Sequence, residues 1–185
     1  MSRSSKMEFT IVVIQLHPNC TGYVRLNSKD PFDYPSIEPN YLCQPDDLKS
    51  LVAGLRLISK LVETKPMQEI GATFNRLDFR GICDNIQFDS DEYWECIIRH
   101  WGMTGYHPTS TCRMGSVTDP NAVVDPKLRV KGITGLRVAD ASIMPHVPSG
   151  NTNAPCIMIG EKAADIIKGK DTVKQFRERI KHLKL

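Results

Sequence analysis

The chain has 185 residues, 41% hydrophobic and 24% charged, enough for one packed core with an appendage but not for two full α/β domains. Its net charge of +3 is concentrated in residues 168–185, which carry seven Lys or Arg against two acids; the rest of the chain is at −2, which argues against a nucleic-acid partner. No apolar run approaches the roughly 20 residues of a membrane span, and the six cysteines include no C-x-x-C pair, so neither a zinc knuckle nor a dense disulfide framework is signalled and free thiols are expected.

Residues 1–7 (MSRSSKM) are polar and basic, and no small-residue cleavage site follows them, so no secretory signal is expected. Residues 9–16 (FTIVVIQL) form a β-branched apolar run long enough for a buried strand. Residues 22–26 (GYVRL) alternate and suit a second strand paired with the first across the turn that begins at His17. Pro31, Pro35 and Pro39 then hold an extended surface loop.

Pro45, Asp46 and Asp47 open a helix whose stripe is Leu48, Leu51, Val52, Leu55, Ile58 and Leu61. Residues 66–88 have weak patterning, with Gly71, Gly81 and alternating Phe74, Leu77 and Phe79, and predict loops or short elements. Asp89 and Glu92 have capping-box spacing, and Trp94, Ile97, Ile98 and Trp101 follow at helical intervals, so a helix is expected over 89–101. Residues 102–115 (GMTGYHPTSTCRMG) end it and put His107 on a loop.

Downstream, Asp119-Pro120 and Asp125-Pro126 read as turns, with short strands at 128–130 and 136–138. Residues 135–140 (GLRVAD) suit a strand ending at Asp140, followed by a loop constrained by Pro145, Pro148 and Gly150 over 141–153. Pro155 then fits the first position of a helix running to about Lys168, with Gly169 as its stop. Ile157, Ile159, Ala163, Ala164, Ile166 and Ile167 give that helix a wide apolar surface, expected to be buried on more than one side. The tail, residues 172–185, carries Val173, Phe176, Ile180 and Leu183 on one stripe among basic residues.

His17, His100, His146 and His182 sit in a turn, a helix, a proline loop and the tail, where structural or exposed roles are the ordinary ones. No histidine and cysteine pair has a four-ligand metal spacing, and no metal is expected. There is no G-x-S-x-G elbow, no Walker A sequence and no G-x-G-x-x-G after a strand.

Three separated stretches, residues 106–115 (YHPTSTCRMG), 135–145 (GLRVADASIMP) and 150–167 (GNTNAPCIMIGEKAADII), together resemble the C-terminal half of the glucose-methanol-choline oxidoreductases. Residues 16–42 are similar to the insect-type glucose dehydrogenase branch of that family, and the resemblance spans about residues 9–168. It implies a catalytic pair of His107 and Asn151, 44 positions apart, with Asn153 as the neighbouring alternative. It also implies FAD as cofactor, with Asp140 and Ala141 toward its ribityl and pyrophosphate region and Asn151, Thr152 and the helix start toward its pyrimidine edge.

The chemistry of such a pair is consistent with those residue types. Oxidising an alcohol removes the hydroxyl proton while a hydride leaves the carbon, and imidazole titrates in the range a base needs. An asparagine stays neutral and can support the oxygen as alkoxide character develops.

The expected fold is an α/β (α+β) fragment: a substrate domain with antiparallel sheet and helices over residues 1–127, a strand, loop and helix returning to an FAD-binding domain over 128–168, and a basic helical tail over 169–185. The expected function is the C-terminal part of an FAD-dependent oxidoreductase acting on an alcohol or sugar CH-OH group, with an N-terminal FAD-binding domain as its partner. The competing reading is a non-catalytic remnant that serves as a binding module.

Overall fold

A proline and two acids at positions 45–47 start a helix for the reasons their sequence suggests, since proline fits a first turn and the acids face the positive end of the dipole. In the computed structural model, which describes residues 8–76 and 81–170, that helix is α1 (Pro45–Val62). It is followed by α2 (Lys65–Glu69), α3 (Asp91–Trp101), one 3-10 turn at Ala141–Ile143, and α4 (Asn153–Ile167). Two three-residue strands, β1 (Tyr23–Arg25) and β2 (Ser36–Glu38), precede α1 and pair as a small antiparallel sheet. The fold is of mixed α/β class.

The chain divides into two compact units. The first comprises Met1–Gly22 and Ile37–Gly105. Its core forms where α1 meets α3: Leu48 and Val52 pack with Tyr93, Trp94, Ile97 and Ile98, and Phe74 and Ile86 close over them. Tyr93 and Trp94 are fully buried, their rings 5.0 Å apart edge to face, a geometry that adds to simple area burial. Trp101, expected on the buried stripe, is exposed, whereas Tyr93, not expected on it, is fully buried.

Two disulfides cross-link this unit, Cys20–Cys43 and Cys83–Cys96, which corrects the expectation of free thiols. Their spacing carries no motif because each joins a loop to a helix or its approach rather than two arms of one turn. Cys112 and Cys156 are free.

Residues 9–16 form no strand, contrary to the pattern. The run has no ladder partner among the described residues, and Val13 instead lies against α1, where a side chain at Gly54 would meet its Cγ1 at 2.6 Å. The segment is anchored by Asp47, whose carboxylate accepts from Gln15 Nε2 (2.7 Å), Asn19 N (2.9 Å), Asn19 Nδ2 (3.2 Å) and Cys20 N (3.2 Å). Burial pushes the Asp47 carboxyl up, but these four donors outweigh it and hold it below the usual carboxylate range. The strand at 22–26 survives as β1, paired with β2 instead of with the first run.

The cap of α3 is Ser90, whose hydroxyl accepts from Tyr93 N at 3.1 Å. Asp89, expected in that role, sits one residue outside with φ 63, a left-handed conformation that Asp tolerates better than most. Its carboxylate is thereby released to take bonds from Ser59 Oγ and Trp94 Nε1, both 2.8 Å, and to pair with Arg56 at 3.2 Å. Burial raises the Asp89 carboxyl, yet those partners bring it below its ordinary value. Leu77 and Phe79 lie outside the described residues, as do residues 1–7 and residues 171–185 of the basic tail.

The second unit comprises Tyr23–Ser36 and Tyr106–Leu185. Its core gathers Val124, Leu128, Ile143 and Met144 beneath Ile159 and Ala163 of α4. The strands expected at 128–130 and 135–140 are reduced to isolated bridges, Arg129 with Arg137 and Val124 with Val130, because tight turns interrupt them. One turn is knotted by Asp125, which accepts from Lys127 N (2.8 Å), Arg129 N (3.0 Å) and Arg129 Nε (2.7 Å). The Arg129 side chain leads the influences that outweigh burial and lower the Asp125 carboxyl.

Helix α4 begins at Asn153, two residues before the position expected, so Pro155 falls third in its first turn, where its missing N–H still has no partner to lose. Gly169, with φ 68, follows its end as expected. Only one face is covered: Ile159 and Ala163 are buried, while Ile157, Met158 and Ile167 are exposed. The expectation of burial on several sides does not hold among the described residues.

Candidate functional site

The loop that carries His107 is held in an uncommon backbone path. Tyr106 before it and Ser110 after it have φ 58 and φ 77, the left-handed region where a side chain crowds the backbone. For a residue as bulky as Tyr106 this conformation is costly and persists only where surrounding structure fixes it. Residues just downstream supply that anchor. Cys112 N donates to Ser142 O (3.0 Å) and Met114 N to Ile143 O (2.8 Å), tying the end of the histidine loop to the 3-10 turn. Arg113 holds the next turn through Asp119 (2.8 Å) and Asn121 O (3.1 Å).

The 3-10 turn is in turn capped by Asp140, whose Oδ1 accepts from Ser142 N (2.8 Å) and Ser142 Oγ (2.5 Å). Ala141 packs on the core beside it. The 44 positions between His107 and Asn151 are therefore bridged by backbone bonds of 112–114 to 142–143, which fold the second loop back over the first.

The contact that results is between His107 Nδ1 and Thr152 Oγ1, 3.0 Å apart. His107 is half-buried and Asn151, the residue before Thr152, is exposed. Of the five residues singled out from sequence, His107 and Thr152 are joined directly, Asp140 and Ala141 belong to the turn that anchors them, and Asn151 adjoins the contact along the chain. Thr152 is the N-cap of α4, but its side chain makes no cap bond, so the first-turn amides are not satisfied by it. His146 is exposed, and His100 lies in the last turn of α3. The direct His107–Thr152 bond was not expected, since hydrogen-bond partners across a 45-residue separation leave no local pattern.

Among the described residues no group of three or more His, Cys, Asp or Glu is placed to hold a metal ion, and no helix is long and apolar enough to cross a membrane. The donor set at the start of α4 fits an electron-rich ring system or anion: amides with no side-chain cap, a neutral carboxamide on Asn151, and the positive end of a fifteen-residue helix.

The family model described as GMC oxidoreductase matches residues 18–160, and the chain belongs to that family. It is 44% identical over 153 residues to the glucose dehydrogenase [FAD, quinone] of Drosophila melanogaster, covering 83% of this chain and 24% of that protein. It is 42% identical over 162 residues to the alcohol dehydrogenase [acceptor] of Pseudomonas putida, covering 88% of this chain and 28% of that protein. Among solved structures, a fungal aryl-alcohol oxidase superposes with a TM-score of 0.68 at 36% identity, over 82% of this chain and 24% of that one. The chain thus spans about a quarter of the length of the relatives it matches.

Proposed function

We propose that this chain forms the C-terminal part of an FAD-dependent oxidoreductase that oxidises a CH-OH group of an alcohol or sugar. The observation that carries the reading is the His107–Thr152 bond, which sets a half-buried imidazole beside the start of α4 and next to Asn151. Family membership and relatives whose names specify FAD, glucose or alcohol support it. In this reading residues 1–127 serve the substrate domain, and residues 128–168 complete the flavin domain whose remainder lies in a partner segment.

His107 acts as the base. Its imidazole takes the hydroxyl proton as the C–H bond breaks, leaving a carbonyl product and a histidinium. Asn151 donates its amide N–H to the substrate oxygen and favours the charge that develops there without competing for the proton. Asp140 and Ala141 face the ribityl and pyrophosphate part of the cofactor, and Thr152 and the first turn of α4 face its pyrimidine edge, where a helix dipole favours negative charge. Bound flavin would supply the hydride acceptor.

The test is His107→Ala in the assembled flavoprotein, with flavin bleaching by an alcohol or sugar donor followed anaerobically. Turnover is expected to fall roughly 10²–10⁴-fold, with substrate affinity less affected. Asn151→Ala is expected to lose less, and Asn151→His to keep measurable activity. His100→Ala and His146→Ala are the controls; if either lowers flavin reduction as far as His107→Ala does while folding is intact, the assignment of the base is wrong.

A further inference from the structure

Thr152 occupies a position where its side chain has an obvious local use and does not take it. As N-cap of α4 it could accept from an amide of the first turn, a bond that contributes about 1 kcal/mol in ordinary caps. Its backbone is instead at φ −78 and ψ −6, away from the extended geometry of such caps, and no cap bond forms. The carbonyl of Thr152 begins the helix normally, accepting from Cys156 N at 3.0 Å. The hydroxyl alone is diverted, and it lies 3.0 Å from His107 Nδ1.

We propose that Thr152 is a positioning residue that selects the tautomer of His107: Nδ1–H donates to Thr152 Oγ1, which leaves Nε2 bare and able to accept a proton. This inference rests on the proposed role of His107 as base and gives it an atom. A neutral imidazole has one N–H and one bare nitrogen, and the bond made at one nitrogen decides the state of the other. In water the ring favours the opposite tautomer, with hydrogen on Nε2, and a ring in that state has no free lone pair there for a substrate proton. The bond at Nδ1 also fixes the ring plane. The left-handed residues on either side of His107 limit the paths its loop can take, so the ring is held at both its backbone and its far side.

When the substrate hydroxyl gives its proton to Nε2, both ring nitrogens carry hydrogen, and Nδ1–H remains bonded to the threonine oxygen. The bond therefore strengthens as the ring becomes cationic, since a charged donor makes a shorter and stronger hydrogen bond. A valine of the same shape at 152 would keep the packing and lose both effects. A serine would keep both.

The experiment reads the ring directly, without depending on cofactor. Nitrogen NMR of the full chain labelled at histidine, with His107 assigned through His107→Asn, distinguishes the bare from the protonated nitrogen at a pH where the ring is neutral. The wild-type chain and Thr152→Ser are expected to show hydrogen on Nδ1, and Thr152→Val is expected to invert the ratio in favour of Nε2. A wild-type ring with hydrogen on Nε2, or a ratio unchanged in Thr152→Val, overturns the proposal. In the assembled flavoprotein Thr152→Val is expected to lower kcat about tenfold with little change in KM, as for loss of one charge-assisted bond in the transition state, and Thr152→Ser to restore it. If His107→Ala abolishes turnover while Thr152→Val is as active as wild type, the tautomer proposal fails and the base assignment stands. If His107→Ala stays active, the base assignment fails whatever the tautomer.

Discussion

Single carboxylates decide much of this structure, and their environment predicts its pH dependence. Asp47, Asp89 and Asp125 are each held below the ordinary carboxylate range in the folded chain. A group whose folded pKa lies below its unfolded one stabilises the fold fully above the unfolded value, about 3.9 for Asp, and that contribution disappears as pH falls through the folded value. The urea midpoint is therefore expected to be level from pH 7 to about 5 and to drop below about 4. A midpoint that climbs on acidification would contradict it. Asp47→Ala leaves the amides of Asn19 and Cys20 without their acceptor and is expected to destabilise by about 1–3 kcal/mol in the same assay. None of the three roles could be read from the sequence beyond the turn at Asp125, because a carboxylate that collects donors from residues 28 or 32 positions away looks like any other acid in a first turn. The resemblance singled out both His107 and Thr152 by position, whereas the hydrogen bond that joins them left no trace in the sequence.

At the level of elements, α1 and α3 were foreseeable to within two residues, since their stripes, acids and proline all agree with one another. Of the strands only the one at 22–26 was, and its partner was not. Residues 9–16 satisfy every local preference for a strand, and what decides is whether another strand lies within bonding distance, which a single sequence does not state. The same applies to 128–130 and 136–138, where pairing occurs but turns cut it to one bridge. The turn at Gly115 is a sharper case, because an added Cβ would lie 2.8 Å from Ala122 Cβ and 2.9 Å from Asp119 Oδ2. Gly115→Ala is expected to destabilise by about 1–3 kcal/mol through overpacking, read as a lower thermal midpoint with Asp119→Ala relieving part of it. An unchanged midpoint would mean that the turn relaxes freely.

At the scale of the molecule, α4 carries an open apolar face among the described residues. Ile157 and Met158 are more than half exposed on the helix that also forms the candidate site, beside a buried face that is fully packed. Contiguous apolar surface of this kind drives association. The isolated chain is expected to self-associate as concentration rises, seen as a growing sedimentation coefficient, with Ile157→Glu and Met158→Glu together reducing it. A strictly monomeric chain at all concentrations would count against the open face. Because the sequence contains no glycine-rich pyrophosphate turn, the purified chain is also expected to lack flavin absorbance. The exposed face itself was half legible: the breadth of the apolar surface was plain in the sequence, but which side packs depends on tertiary contacts that a local pattern does not state.

The disulfides have a consequence in terms of handling and survival. Both lie in the unit built from Met1–Gly22 and Ile37–Gly105, and the unit that holds the candidate site has only the free Cys112 and Cys156. A mild dithiol is then a selective tool. It withdraws cross-links that close stretches of 13 and 23 positions, each contributing roughly 3 kcal/mol; the longer of these also encloses residues 23–36 of the second unit, whereas residues from 106 onward lose nothing covalent. Under brief protease exposure in reductant, cuts should accumulate first around residues 15–45 and 81–96, and the fragment that outlasts them should begin near residue 106 and still carry His107 and Thr152.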